Sequence, residues 1–298
     1  MTTKVKPGAV VVGVDGSPAS DAALEWAVDY AAARHAPLCI LHGAGDLGDN
    51  LIPFKQDARE MLAKNSRRVT EHALETVRRR TPELDVEIQD PFEDARQALL
   101  DLEHASMIVL GTRGLGSVKR LLLGSVSQAV SSRSRYPVTV VRSAEGRDET
   151  APVVVGVDLE GTADAALDLG FRIASMSGRP LEAIHAWAAE DNVIAELTEK
   201  QHAVVTEKHE RGFAEAMAGY SEKYPDVAVT TRMTEESAPA ALVSASEWAA
   251  HVVVGGRATR RVPRYFGSVG RTVVEHAHCP VTVMRPERMH PEEDDSPH

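Results

Sequence analysis

Cysteine is nearly absent: Cys39 and Cys279 are the only two in 298 residues, and they form no CxxC pair. That excludes a disulfide-stapled scaffold and a paired-thiol redox centre, and it points to two buried thiols in a reducing compartment. Aromatic residues are scarce at 4%, so the cores must be built from Val, Leu, Ile and Ala, with Trp26, Trp187 and Trp248 expected as core residues. No apolar run approaches the roughly 18 residues of a membrane span. The opening MTTKVKPGAVVVGVDG has only Ala9–Val12 as an apolar run, too short for a signal-peptide core, so the expectation is a cytoplasmic chain. Basic charge is also short, with 33 Lys and Arg against 44 Asp and Glu and a net charge of −11. Nonspecific nucleic-acid binding rests on phosphate neutralisation by a basic surface, so nucleic acid is not an expected partner. His276, His278 and Cys279 sit at a helix end with spacing unsuited to a metal, and no metal site is expected.

What is present is an alternation of strands and helices. Val10-Val11-Val12-Gly13-Val14-Asp15 is a near-continuous apolar run, the mark of a strand buried on both faces of a parallel sheet. Gly16-Ser17-Pro18 follows, with Ser17 a natural N-cap and Pro18 a natural first helical residue. Ala22, Ala23, Trp26, Ala27 and Tyr30 then give an amphipathic helix to about Arg34. Further strands are expected at Leu38–His42, near Val86–Ile88, at Met107–Leu110 and at Tyr136–Arg142. Helices are expected at Asp57–Arg80, Ala95–His104 and from Ser125. The pattern is that of a doubly wound α/β sheet.

The chain then repeats itself. Val11–Asp15 returns as Val154–Asp158, Leu41-His42 as Ile184-His185, Gly124-Ser125 as Gly267-Ser268 and Pro137–Arg142 as Pro280–Arg285, all at an offset of 143 residues. A period this long means two whole domains. They are expected at residues 1–146 and 147–289, joined by the polar segment Ser143–Thr150. Residues 290–298 form an acidic tail expected to be disordered.

The stretch Met107–Val126 carries the chemistry. An apolar strand stops at Gly111, a glycine- and base-containing loop follows, and a helix starts at Ser125. Glycine lets backbone amides approach an anion closely, and a helix N-terminus adds unpaired N–H groups and a positive dipole end. In an open parallel sheet, ligands bind outside the carboxyl ends of strands where the winding reverses. A strand order of 3-2-1-4-5 places Asp15 and Gly111 side by side at that point. No GxxxxGK[ST] P-loop occurs, and the glycines do not form GxGxxG after the first strand.

These residues resemble the universal stress protein family, in a tandem arrangement of the actinobacterial kind. VVVGVDGSPAS, PVVVGVD, His185-Ala186-Trp187, YPVTVVR and CPVTVMR are similar to that family over about residues 8 to 286. The G-x2-G-x9-G-[ST] motif is matched by Gly111, Gly114, Gly124 and Ser125. The resemblance implies a Rossmann-like fold of the adenine nucleotide alpha hydrolase kind. It also implies ATP binding, with the nucleoside against Asp15, Gly16, Ser17, Leu41 and Gly43. Ribose and phosphates would meet Gly111, Gly114, Gly124, Ser125, Val126 and Ser127; apart from the resemblance, Arg113 in the same loop either touches phosphate or is solvated. A magnesium ion bridging the phosphates would have Asp15 as its one carboxylate.

The second copy departs from the motif. Ala258 replaces the second glycine, the spacing to Gly267 is one residue short, and Leu159-Glu160 replaces Gly16-Ser17. The corresponding site, Asp158, His185, Gly255, Arg257, Ala258, Gly267, Ser268 and Val269, is therefore expected to bind ATP weakly or not at all, although its loop arginines suit phosphate. The function expected is an ATP-binding regulator in stress, dormancy or growth control. Slow ATPase or phospho- or adenylyl-transfer chemistry is the alternative, without an evident general base, arginine finger or paired metal carboxylates; a nucleotide-free interaction protein is the second. The apolar final strands Tyr136–Arg142 and Cys279–Arg285 are edges that invite pairing. They are expected to join the two domains as a pseudo-dimer. A homodimer of tandems and the protein partner stay open.

Overall fold

The computed structural model describes residues 3–43, 55–91, 94–112, 114, 123–142, 148–159, 163–187, 198–255 and 267–284. The linker residues 143–147 and the tail lie outside them. The first repeat runs β1 (Thr3–Gly13), α1 (Pro18–Ala33), β2 (Leu38–Leu41), α2 (Lys55–Arg80), β3 (Val86–Gln89), α3 (Ala95–Leu100), β4 (Leu102–Gly111), α4 (Ser125–Arg133) and β5 (Val138–Val141). The second runs β6 (Val153–Gly156), α5 (Ala163–Ser177), β7 (Leu181–Ala186), α6 (Glu199–Met217), α7 (Tyr220–Lys223), β8 (Val229–Thr234), α8 (Ala238–Ala245), β9 (His251–Val254), α9 (Ser268–His276) and β10 (Val281–Val283). Among the described residues no helix is long and apolar enough to cross a membrane.

All ten strands form one sheet, ordered β3-β2-β1-β4-β5-β10-β9-β6-β7-β8. Each half has the order 3-2-1-4-5 with parallel neighbours, so the winding reverses between β1 and β4 and again between β6 and β9. The halves meet at an antiparallel seam in which Val140 faces Val281, Thr139 faces Thr282 and Val138 faces Val283. Thr282 is the repeat partner of Thr139, so a pseudo-twofold axis passes between these two residues.

Period-two alternation sends β1 side chains to two cores. Val10 and Val12 join α1 and α2, while Val11 joins α3 and α4. The first of these cores continues across the seam through Val153, Val155, Val253 and Phe171, so α1 and α5 lie on the same face of the sheet. Both cysteines are buried thiols. Burial pushes the Cys39 thiol far above its ordinary pKa, which makes it a core residue without nucleophilic character.

Three expectations need correction. The helix read as Ala95–His104 ends at Leu100, because Leu102-Glu103 instead pair with Thr3-Lys4 and Leu102 is fully buried. The first strand accordingly starts earlier than its apolar run, with a register shift between Lys4 and Ala9 around Gly8. Trp248 is no core residue: it is 45% exposed, with Arg232 over its ring and its indole N–H donated to Glu182.

Candidate functional site

The first switch point is assembled by short-range hydrogen bonds. The amide of Ser17 donates to Asp15 Oδ1 (3.0 Å), and the Ser17 hydroxyl accepts from Ser20 N (3.2 Å), capping α1 after Gly16 turns the chain at φ 80°. Ser17 is buried. A Cβ on Gly111 would overlap the backbone of Ala19, so that glycine lets the end of β4 lie against the first turn of α1. A Cβ on Gly114 would overlap the Asp15 carboxylate, which places Gly114 directly against that side chain.

Helix α4 is fastened to the same place. Gly124 N donates to Thr112 O (2.7 Å), closing the loop at its base, and Ser127 Oγ donates to Gly111 O (2.6 Å), tying the first turn to the strand end. The N-cap of α4 is Gly124, which brings no capping side chain. The contrast within the chain is clear: Ser17, Asp94, Thr198 and Ser237 each cap their helix with a side-chain oxygen. The first amides of α4, on Ser125, Val126 and Ser127, thus receive no cap where the dipole is positive, the arrangement of an anion site.

The strand-end positions fare differently. Leu41 is a core residue with 1% exposure, and its carbonyl accepts from Val14 N (2.9 Å). Gly43 backs onto Ala95 of α3. Between them His42, which the sequence reading passed over, is buried with Nδ1 2.8 Å from Val14 O. A carbonyl only accepts, so Nδ1 carries the proton and a neutral His42 presents Nε2 as an acceptor. The signal was in the repeat: His185 makes the same bond to Val157 O at 2.9 Å. Arg113 lies outside the described residues.

In the second repeat Asp158, His185, Gly255, Gly267, Ser268 and Val269 all line one cavity of about 350 Å³. Arg257 and Ala258 lie outside the described residues. The N-terminus of α8 at Ser237–Pro239 completes the wall, a contribution not read from the sequence. Helix α9, like α4, starts after a glycine with no side-chain cap. The surroundings differ at the end of β7. His209 of α6 sits 2.8 Å from His185 Nε2 and stacks on Trp187 at 4.8 Å; the matching residue of α2 is Ser66. Leu159 brings bulk at the position of Gly16, next to the crevice residue Asp158. That bulk packs against Gly212 of α6, in the mirror of the first repeat, where Gly16 faces Val69 of α2.

Fold and site together define a tandem, doubly wound α/β protein with an uncapped, glycine-led helix at each switch point. The universal stress protein family profile matches residues 8–142 and 150–285. The chain belongs to that family. It is 32% identical over 299 residues to Universal stress protein Rv2005c of Mycobacterium tuberculosis, covering 96% of this chain and 99% of the relative. It is 31% identical to Universal stress protein Rv2623 of the same organism, covering 93% and 96%. In fold it is similar to the crystal structure of a universal stress protein from Archaeoglobus fulgidus, with a TM-score of 0.67 at 20% identity, covering 94% of this chain and 99% of that one.

Proposed function

We propose that the first crevice binds ATP and that its occupancy sets the affinity of this protein for a protein partner, making it a nucleotide-dependent regulator in stress, dormancy or growth control. The observation that carries the reading is the start of α4. It is uncapped and tied by Ser127 to the end of β4, while Gly114 lies against Asp15. Those amides supply an anion cradle at neutral pH, and the intact Gly111, Gly114, Gly124, Ser125 motif suits a triphosphate. His42 adds a buried acceptor near the nucleoside end.

The second crevice takes ATP more weakly in this reading. Leu159 no longer counts toward that inequality, since its bulk goes into α6. What remains is Ala258 in place of a glycine, the loop that is one residue short, and Glu160 in place of Ser17, a negative charge beside a phosphate site. A ligand biases a conformation only through differential affinity for two states, so regulation requires a partner that distinguishes filled from empty protein.

Mass spectrometry of native protein should find co-purified ATP, and equilibrium dialysis should find one tight site per chain. Gly114→Glu, which drives bulk and negative charge against Asp15, should abolish the tight site while leaving the circular dichroism spectrum unchanged. Retention of ATP by the folded variant would show that the site lies elsewhere, and two equal sites in the parent would end the case for inequality.

A further inference from the structure

A groove unconnected with the crevices lies over the seam. Helices α1 and α5 face each other there across a groove of about 430 Å³, lined by Trp26 and Tyr30 from the first repeat and by Val153, Ile173, Met176 and His251 from the second. Its walls are asymmetric although its frame is pseudo-symmetric. At the offset of 143 residues, Trp26 and Tyr30 correspond to Leu169 and Ile173. On the strand, where the offset is 144, His251 corresponds to Met107.

His251 is the unusual member. It is 2% exposed, and we assign its tautomer from a chain of hydrogen bonds. Thr139 donates its only hydroxyl proton to Met107 Sδ (3.3 Å), so it accepts from Thr282 Oγ1 (2.7 Å). Thr282, its proton now spent, accepts from His251 Nε2 (2.7 Å). That leaves Nδ1 as a bare acceptor, and it has no partner among the described residues. Burial keeps the ring neutral, with its pKa pushed down to about 3, so Nδ1 does not acquire a proton of its own. A buried acceptor with no donor is costly, and native structures rarely leave one unserved.

Trp26 stacks on the imidazole at 5.5 Å and on Tyr30 at 5.0 Å. It is half-buried, and among the described residues its indole N–H makes no hydrogen bond, so core packing and stacking hold it in place. We propose that the α1/α5 groove is a ligand site separate from both crevices, taking a small planar molecule with an N–H or O–H donor that reaches His251 Nδ1 as Trp26 shifts along the imidazole. Because the walls come from both repeats, such a ligand braces the seam. Planarity is set by the aromatic and aliphatic walls, and the donor requirement by the tautomer.

The test uses the full chain and two probes, indole and 1-methylindole, which differ in the N–H and one methyl group. Calorimetric titration should show saturable indole binding, with 1-methylindole at least about ten-fold weaker, the usual scale for an unmet buried hydrogen bond. Saturating ATP should leave indole binding unchanged. His251→Phe should erase the preference between the probes, as should His251→Met, which installs the residue the first repeat uses at this place. Absence of saturable binding, equal affinities in the parent protein, competition by ATP, or a preference surviving in both variants would each overturn the site.

Discussion

A histidine held neutral inside a folded chain makes stability depend on pH in a direction that can be worked out. His251 has its pKa lowered from 6.5 to about 3 by burial. Between those two values the unfolded chain binds a proton that the native chain refuses, so stability rises with pH across that window and is fully present above it. On acidification the residue costs up to about 1.4 kcal/mol per pH unit, lost as pH falls from 6.5 toward 3. Replacing it with phenylalanine keeps a ring against Trp26 and removes the proton acceptor. Denaturant unfolding of parent and His251→Phe at a series of pH values from 7 to 4 should therefore give a shallower acid slope for the variant. Parallel slopes would mean that His251 takes up its proton in the native state. The same residue shows how function and packing separate at this scale: His42 and His185 hold strand-end carbonyls through Nδ1, whereas His251 bonds Thr282 at the seam through Nε2 and leaves Nδ1 spare.

At the scale of elements, the joint between the repeats is more than strand pairing. Arg142, just past β5, donates from Nη2 to the carbonyls of Val274 (2.9 Å) and Glu275 (2.7 Å) in the last turn of α9. A cation at a helix C-terminus meets both unsatisfied carbonyls and the negative end of the dipole. Arg142→Ala should cost about 1–3 kcal/mol, the scale of a charged hydrogen bond, and lower the thermal midpoint by a few degrees; an unchanged midpoint would show that water replaces the guanidinium without loss. Sequence alone reached the strand order, the repeat and the seam strands, because apolar runs and a fixed offset report directly on burial and duplication. It misread the segment after Leu100, where a bulged first strand captured residues whose local pattern favours helix. It missed the exchange of Gly16 and Val69 for Leu159 and Gly212, since compensation between elements has no local signature. The uncapped start of α4 was legible, because glycine at the N-cap is itself the missing side chain.

For the whole molecule, the seam determines what counts as a folding unit. One hydrophobic core runs from α1 and α2 across the sheet to α5 and α6, and Thr139 and Thr282 are completely buried at the pseudo-axis. A first repeat made alone, residues 1–146, would leave β5 as an open edge, with Val138 and Val140 buried on one face in the full chain and Val141 on the other. An open, apolar, parallel-sheet edge is a template for another strand. The strand best matched to it is its own copy, because the native partner β10 is a repeat of β5 in antiparallel register with Thr139 facing Thr282. The isolated repeat should therefore form a dimer with Thr139 opposite Thr139, a contact that two hydroxyls satisfy as readily as the native pair does. Light scattering on purified residues 1–146 should report that dimer, and Thr139→Lys, which forces a charge into the dry centre of the seam, should return it to monomer. A soluble monomer from the unmodified repeat would refute the idea that strand register alone directs the pairing. It would leave the asymmetric contacts, Trp26 on His251 and Arg142 on α9, as what holds the two repeats together.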